Sequence, residues 1–433
     1  VDMVQSVPVL GARREQGLDA RMPPNFQFQG MGMAQQDDFA PTVALADEPA
    51  PVQTLDIRFT GSGSEYFRIW IVNLLLTLVT FTLYVPFARA RRIAYFQNNT
   101  LVGGDPLGFH ADPWKMFRGY IIVLLLGLAY WAVTHFMPGL EWVALAVFMA
   151  LWPALWRASL QFRLRNTSWR GVRFVFAGDL KSAYTSLLPF FLPALVFVLF
   201  LPHAPVEDEA PVPQQARLAM MLVGGVVLAF TLMLPWLLAR IKRYQHGGYM
   251  FAQERTQLHT RTRGFYGVFF KTAGVSLLAA LVGAAVLALA FYVGARGFFG
   301  EVAAGQTKAL LTLLVPLALG VVYLLIPLVS GPYFGARFQD LLWNGTRSDR
   351  IRFQSALRFR SLFRVTLVNW LLIVCTLGLY WPFAKVRTAR LKLEALTLNV
   401  DGPVDSWLAQ AQQSQKGVLG DAAGDFFGID MGL

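Results

Sequence analysis

The chain has 433 residues, of which 55% are hydrophobic and only 15% are charged. Soluble domains contain about 25% charged residues, so a soluble domain of this length would lack the polar surface that covers its core. The composition therefore excludes a single soluble enzyme domain and a disordered chain. A single cysteine, Cys375, excludes an internal disulfide framework and a cysteine-based metal cluster. We expect a membrane protein.

The two ends of the chain differ from its middle in charge. Residues 1–55 contain seven acids, three arginines and six prolines without an apolar period, which predicts a disordered N-terminal tail. Residues 401–433 hold five acids and one lysine, which predicts a flexible acidic C-terminal tail. The remaining 56–400 keeps 34 basic and 14 acidic residues. The excess positive charge therefore belongs to the predicted membrane domain.

Eight apolar stretches are long enough to be considered as spans, since a helix needs about 20 residues to cross a hydrocarbon core about 30 Å thick. In chain order they are 67–86, 119–137, 139–156, 184–203, 218–238, 273–293, 309–329 and 364–382. The connections between them are basic, except near Gly139 and in the loops 203–217 and 294–308. By the positive-inside rule, the basic connections face the cytoplasm.

The first and last stretches, 67–86 and 364–382, have basic flanks on both sides. Either both segments enter and leave as re-entrant elements, giving six full spans with cytoplasmic tails, or both cross, giving eight spans with external tails. We favour the first arrangement because it obeys the charge rule everywhere, and re-entrant backbone is tolerated where it is buried against protein. The expected fold is an all-α polytopic membrane protein built from helical hairpins.

Residues 67–91 and 363–387 form an internal repeat. At a constant offset of 296, 13 of 25 positions are identical. Shared hydrophobicity alone does not produce matched polar and proline positions, so we interpret this as a true repeat. The matched residues include Asn73 and Asn369, Tyr84 and Tyr380, and Pro86 and Pro382.

The repeated segments also carry a family resemblance. The motifs are Phe59-Thr60-Gly61, Tyr66-Phe67, Val72-Asn73-Leu74-Leu75, Pro86-Phe87-Ala88-Arg89-Ala90-Arg91 and the second copy from Thr376 to Arg387. They resemble the YjgN-type family of bacterial inner-membrane proteins, over about 56–400. The resemblance implies a multi-pass inner-membrane protein. It implies no established activity and supplies no catalytic residues.

Asn73 and Asn369 are the paired polar side chains inside the repeated segments. Burying a polar group without a hydrogen-bond partner costs roughly 2–7 kcal/mol, so each amide needs a partner. One hypothesis is a substrate or ion site made by two pseudo-symmetric elements. The other is a structural role as interhelical hydrogen-bonding groups. The sequence leaves both open.

Proline and arginine follow these asparagines. Tyr84 with Pro86 and Tyr380 with Pro382 mark predicted helix breaks, because proline removes a backbone donor. Such breaks either expose carbonyls to a cation or end a span beside an interfacial aromatic residue. The basic residues beyond them are either contacts for anionic lipid head groups or plain topology signals. They are Arg89, Arg91, Arg92, Lys385, Arg387 and Arg390.

The sequence predicts no enzyme, metal site or cofactor. The five histidines are unpaired at helical spacing, and no phosphate-binding loop or nucleophile motif is present. The basic loops lack a nucleic-acid motif, so we expect the lipid bilayer, with anionic head groups, as the partner. The expected function is that of a transporter, channel or lipid-handling protein of the bacterial inner membrane. The alternative is a non-transport membrane scaffold or an envelope accessory protein.

Overall fold

The structure is a computed structural model that describes residues 52–137, 139–200, 214–297 and 304–418. Residues 1–51 and 419–433 lie outside the described residues. The predictions of a disordered N-terminal tail and of a flexible C-terminal end fall on these segments. The described chain consists of five consecutive units, followed by one more helix. In each unit, helices that form a hairpin lie between short strands, with one strand after the helices and one before them, or two before them in unit 4.

The units begin and end at the following residues. Unit 1 contains β1 (Val52–Phe59), α1 (Gly63–Val79), α2 (Val85–Asn98) and β2 (Thr100–Val102). Unit 2 contains β3 (Asp105–Phe109), α3 (Pro113–Phe136), α4 (Glu141–Arg165) and β4 (Thr167–Trp169). Unit 3 contains β5 (Val172–Phe176), α5 (Leu180–Leu187), a 3₁₀ turn (Leu188–Phe191), α6 (Leu192–Phe200), α7 (Gln214–His246) and β6 (Tyr249–Phe251).

The chain then continues through two further units. Unit 4 contains β7 (Glu254–Arg255), β8 (Gln257–Leu258), α8 (Thr262–Gly297), α9 (Ala304–Trp343) and β9 (Thr346–Arg347). Unit 5 contains β10 (Ile351–Ser355), α10 (Phe359–Cys375), α11 (Trp381–Glu394) and β11 (Leu396–Asp401). The additional helix is α12 (Val404–Val418).

The strands form one antiparallel sheet that closes into a ring. Strands that follow each other in the chain pair from β1 to β7 and from β8 to β11. The first and last strands also pair, with Val52 opposite Asp401 and Asp56 opposite Thr397. The two ends of this strand order are β7 and β8, and Thr256 alone joins them. The ring therefore protects its strand edges without a second sheet.

This ring corrects the prediction of an all-α fold. The sequence did contain short extended pieces near Gly108 and Arg173, but its strands are only two to eight residues long. A two- or three-residue strand is too short to show the alternation that identifies a half-buried strand. Such a strand finds its partner because each helical hairpin brings the strands at its two ends together.

The helices also form a closed series. In units 1, 2, 4 and 5 the two helices of the hairpin pack against each other. Each hairpin also contacts the next one in the chain, and α11 of the last hairpin packs on α1 of the first. Six helical stretches are long and apolar enough to cross a membrane. They are Pro113–Phe136, Glu141–Arg165, Leu180–Phe197, Met220–His246, Thr262–Ala290 and Leu314–Trp343. These six correspond to the expected stretches of units 2–4.

The expected stretches 67–86 and 364–382 are not continuous helices. Helix α1 ends at Val79 and α10 ends at Cys375, and a five-residue turn separates each from its return helix. The two segments are therefore helix–turn–helix hairpins in units 1 and 5. They are not among the six candidate spans of the described chain.

The core lies inside the strand ring. Alternate residues of β11, from Leu396 to Val400, are buried there together with Leu55 and Ile57 of β1. One end of the ring is covered by α12, whose Trp407 and Leu408 belong to the same core cluster. The expected tail boundaries change accordingly, because 52–55 belong to β1 and most of 401–418 is ordered. The buried residues of α12 recur at helical spacing, which the composition of the whole tail does not show: they are Val404, Trp407, Leu408 and Ala411.

Candidate functional site

The hairpins of units 1 and 5 have the same local geometry at an offset of 296. In unit 1, the hydroxyl of Thr80 donates to the carbonyl of Leu76 and accepts from the backbone N–H of Tyr84. In unit 5, the Thr376 hydroxyl makes the same two contacts, with Leu372 and Tyr380. A threonine that back-bonds its own helix thus organises each turn.

The turn residues that differ between the copies adopt the same backbone conformation. Phe81 and Thr82 have φ values of 46° and 74°, and Leu377 and Gly378 have φ values of 50° and 93°. Left-handed backbone is easy for glycine and strained for a β-branched residue such as threonine. The first copy therefore keeps the turn at a conformational cost.

Asn73 and Asn369 each link the two helices of their own hairpin. The Nδ2 of Asn73 lies 3.5 Å from the carbonyl oxygen of Ala88, and that of Asn369 lies 3.3 Å from the carbonyl oxygen of Ala384. Asn369 also lies 3.3 Å from the Thr388 hydroxyl. Both asparagines are buried, and their Oδ1 atoms have no hydrogen-bond partner. Contacts of this kind are expected for a structural role as interhelical hydrogen-bonding groups. A role in binding a substrate or ion stays a prediction.

The residues predicted as helix breaks lie at the starts of return helices. Tyr84 and Tyr380 are the N-cap residues of α2 and α11. Pro86 and Pro382 occupy the first turn of those helices, where the missing N–H would have had no helical partner. Because a proline in the first turn leaves no helical carbonyl without its partner, these prolines do not break a helix. They mark where each return helix begins.

A proline recurs in the return helix of every unit, which the sequence reasoning recognised only in part. All five prolines are buried, and they are Pro86, Pro153, Pro235, Pro332 and Pro382. In units 1, 2 and 4 a threonine follows 14 positions later and begins the return strand. The hydroxyls of these residues, Thr100, Thr167 and Thr346, donate to the carbonyl four residues earlier. The spacing Pro-x13-Thr was a sequence signal for three of the five units.

An arginine follows the proline by five positions in four of the units. Three of these guanidinium groups lie over aromatic rings: Arg91 over Tyr84 at 5.7 Å, Arg240 over Trp236 at 5.0 Å and Arg337 over Tyr333 at 5.9 Å. In unit 5, Arg387 donates to the Tyr380 hydroxyl at 3.0 Å. In these four units an arginine therefore lies beside an aromatic side chain close to the proline of the return helix.

The predicted lipid-contact residues lie mostly on the surface. Arg91, Arg92, Lys385, Arg387 and Arg390 are exposed. Lys385 lies 4.8 Å from the Trp381 ring, and Arg390 donates to the carbonyl of Gly61 at 2.9 Å.

Arg89 differs from these exposed residues. It is half-buried, and its Nε has no hydrogen-bond partner. Burial lowers the pKa of Arg89, and the nearby guanidinium groups of Arg163 and Arg92 lower it further. The arginines of α2 and α4 thus concentrate positive charge near the end of the ring where these helices meet it.

The strand ring encloses an apolar cavity of about 360 Å³. Its walls come from eight strands, from α12, and from the ends of α4, α9 and α11 that meet the ring. Aliphatic and aromatic residues together form most of the lining, and the aromatic ones include Trp169, Phe174, Phe251, Trp343, Phe353 and Trp407. Arg163 is the charged residue of the lining and lies on the α4 side. An apolar chain fits such a space better than an ion, which needs polar ligands.

No group of three His, Cys, Asp or Glu side chains in the described ranges is placed to hold a metal ion. Cys375 is exposed at the end of α10. The expected lack of an enzyme activity and of a cofactor stays a prediction.

Comparison with known proteins gives a family but no activity. A family model described as "Bacterial protein of unknown function (DUF898)" matches residues 54–426. "Inner membrane protein YjgN" from Salmonella typhimurium (strain LT2) is 24% identical over 379 residues, which cover 82% of this chain and 87% of that protein. The protein of the same name from Escherichia coli O157:H7 is 28% identical over 141 residues, 32% of this chain and 35% of that protein. No solved structure matches the chain.

Proposed function

We propose a lipid-handling function for this chain, which belongs to the DUF898 family of bacterial proteins of unknown function. The match confirms the resemblance to YjgN-type proteins, and with six candidate spans the chain is a multi-pass protein of the bacterial inner membrane. In the proposed function, the strand ring accommodates the apolar chain of a membrane lipid.

The observation that carries this proposal is the apolar cavity inside the ring. Its walls include Leu160 and Leu164 from the end of α4, which is a candidate span, and Leu393 from the end of α11. The cavity therefore adjoins the bilayer side of the ring, and Trp407 bounds it on the other side. A cavity of about 360 Å³ holds part of an acyl or isoprenoid chain.

The surfaces of the candidate spans support lipid as the ligand. In α7, the consecutive residues Met220, Met221 and Leu222 are all exposed. Successive residues are about 100° apart around a helix, so apolar surface covers most of its circumference. A helix that is apolar all round has lipid or protein on every side. We infer that lipid lies on both sides of the hairpin series.

The hairpins of units 1 and 5 support the re-entrant arrangement as part of the proposal. Their tips are apolar and exposed: Phe81 is 89% and Leu377 is 95% exposed. Helix α1 has 17 residues, or about 25 Å at 1.5 Å per residue, and its basic return helix begins after a five-residue turn. We infer that the tips enter the bilayer and return, with the ring and both tails cytoplasmic.

The exposed basic residues of the return helices extend the proposal to anionic head groups. In the re-entrant arrangement, Arg91, Arg92, Lys385, Arg387 and Arg390 lie near the cytoplasmic surface. Each basic residue there contributes about 1 kcal/mol of attraction to an anionic leaflet. The arrangement favours a role with anionic lipids over a role with polar solutes.

Filling the ring cavity tests the proposed function. Met250 lines the cavity from β6, and Met250→Trp adds volume there. The full-length protein in detergent is titrated with a pyrene-labelled phospholipid, whose emission overlaps the absorption of no protein group. We expect retention of the labelled lipid to fall about tenfold.

Val52→Trp is the matched control because Val52 is exposed on β1 of the same ring. It should leave lipid retention unchanged. Equal retention by the wild type and Met250→Trp, with both folded, would rule out the ring cavity as the lipid site and leave the scaffold role. A reporter fused to the C-terminus tests the topology separately, and we expect a cytoplasmic signal.

A further inference from the structure

Unit 4 contains a cleft that is separate from the ring cavity. The cleft has a volume of about 740 Å³ and lies between the beginning of α8 and the end of α9. None of its lining residues lines the ring cavity. It therefore offers a second binding surface whose chemistry can be judged by itself.

The cleft is positively charged. Lys271 of α8, Arg337 of α9 and Arg347 of β9 line it, and all three are exposed. Its acidic residue, Asp340, is engaged elsewhere: the Ser355 hydroxyl donates to its Oδ1 at 2.6 Å, and the Leu357 N–H donates to the same oxygen at 3.1 Å. The cations of the cleft therefore exceed the negative charge available to neutralise them.

The cations are presented around a partly apolar space. Arg337 lies over the ring of Tyr333, which limits the positions of its guanidinium group. Val268 and Leu341 add apolar surface. At Gly267 an added Cβ would meet nothing within 4 Å, so the glycine leaves that part of the cleft open. Charge and apolar surface together suit an amphiphile better than a small ion.

A related cleft occurs at the same place in unit 3. It has a volume of about 460 Å³ and is lined by Trp236, Arg240 and Arg243. Arg240 corresponds to Arg337, five positions after the unit's proline. In unit 3, however, Arg243 donates to the Thr262 hydroxyl at 2.6 Å. The basic side chains of the unit 4 cleft are therefore more available to a ligand than those of the unit 3 cleft.

We propose that the unit 4 cleft binds the phosphate-bearing head group of an anionic membrane lipid through Lys271, Arg337 and Arg347. Arginine and lysine are the residues that bind phosphate oxygens in proteins. Lys271 lies nine residues after the start of the candidate span Thr262–Ala290, and Arg337 lies six residues before the end of Leu314–Trp343. Positions near the ends of two spans suit the level of lipid head groups. The lipid chains then lie along the apolar surface of α8 and α9.

Native mass spectrometry of the full-length protein in detergent tests this site. The probes are dioleoylphosphatidylglycerol, dioleoylphosphatidylcholine and inorganic phosphate. We expect the double variant Lys271→Gln/Arg337→Gln to bind phosphatidylglycerol about 30-fold more weakly than the wild type. Lys271→Arg/Arg337→Lys, which keeps both charges, should retain most of the binding. Millimolar inorganic phosphate should not displace the lipid.

The matched control is Lys115→Gln/Arg118→Gln, which removes one lysine and one arginine from the exposed start of α3, the first helix of unit 2. It should change binding by less than twofold. Gly267→Phe should weaken binding without changing charge, because it fills the cleft.

The proposal is overturned if the cleft double variant, shown to be folded by its melting temperature, binds like the wild type. It is also overturned if the control variant Lys115→Gln/Arg118→Gln weakens lipid binding as much as the cleft variant does. Displacement of the bound lipid by millimolar inorganic phosphate would overturn it as well. Met250→Trp fills only the ring cavity, so failure of one site is distinguishable from failure of the other.

Discussion

The indole N–H of Trp407 donates a hydrogen bond of 3.1 Å to the carbonyl of Ala252, 155 residues away in the chain. Ala252 has a φ of 47° and forms the turn between β6 and β7. Nearby, Arg170 lies in the β4–β5 turn and contacts both Asp105 of β3, at 2.5 Å, and Asp405 of α12, at 2.8 Å. Two hairpin turns thus hold α12 across the ring.

Replacing Trp407 should release this contact and open the core. We expect Trp407→Ala to lower the free energy of unfolding by about 3–5 kcal/mol, because it removes a buried aromatic side chain. Trp407→Phe keeps most of the apolar area and should cost about 1 kcal/mol for the lost hydrogen bond. Chemical denaturation in detergent measures both. Trp142→Ala, at an exposed position of α4, is the control, and an equal loss there would contradict a specific role for Trp407.

Thr82 should be improved by glycine. Its φ of 74° is unfavourable for a β-branched residue, and the second copy of the hairpin has Gly378 at the same place. We expect Thr82→Gly to stabilise the protein by about 0.5–1 kcal/mol and Gly378→Thr to destabilise it by a similar or larger amount. Melting temperatures of the two variants decide this. Melting temperatures that both rise or both fall in the two variants would contradict the shared turn geometry.

The two repeated asparagines should respond differently to leucine. Asn369 has two donor contacts, whereas Asn73 has one at 3.5 Å, and each has an Oδ1 without a partner. We expect Asn369→Leu to destabilise by about 1 kcal/mol and Asn73→Leu to change stability by less than about 0.5 kcal/mol. Lipid retention should be unaffected in both. Loss of lipid binding without loss of stability would instead support a substrate role.

Asp179 should make α5 sensitive to acid. Its carboxylate accepts a hydrogen bond of 2.9 Å from the Ser182 N–H at the start of the helix, and this contact lowers the pKa of Asp179 from its ordinary value. A lowered folded-state pKa stabilises the protein above the unfolded-state pKa, and the contribution is lost as pH falls through the folded-state pKa.

Stability measurements between pH 6 and pH 3 test this cap. Asp179→Ala should lose about 1 kcal/mol at pH 6 through removal of the N-cap. The difference between this variant and the wild type should shrink towards pH 3. Asp179→Asn keeps a neutral capping oxygen, so its stability should lack that part of the acid dependence. A difference that is constant with pH would contradict the role of the charge.

The sequence was sufficient for the six long helices because each needs only a continuous apolar run. It was also sufficient for the matched hairpins, since Asn73 and Asn369 or Pro86 and Pro382 stand out against an apolar background. The ring was not predictable in this way. Its strands, such as Thr346–Arg347, are defined by partners distant in the chain and carry too few residues to show a pattern.

The unit 4 cleft was missed for a related reason. Lys271, Arg337 and Arg347 are separated by up to 76 positions, so no local sequence pattern groups them. The hairpin of α8 and α9 brings them to one cleft, where Asp340 accepts a hydrogen bond from the Ser355 hydroxyl. The proline of unit 4, Pro332, was a usable signal, because Thr346 follows it at the same spacing as Thr100 follows Pro86.

The pairing of β1 with β11 has a consequence for biosynthesis. Val52 and Asp401 lie 349 positions apart, so the ribosome produces every hairpin before the last strand exists. Until then β1 presents one unpaired edge, which is open to pairing with other chains. Ring closure must therefore come after insertion of all five hairpins, and a chain truncated before Leu396 would keep an aggregation-prone edge in the cell.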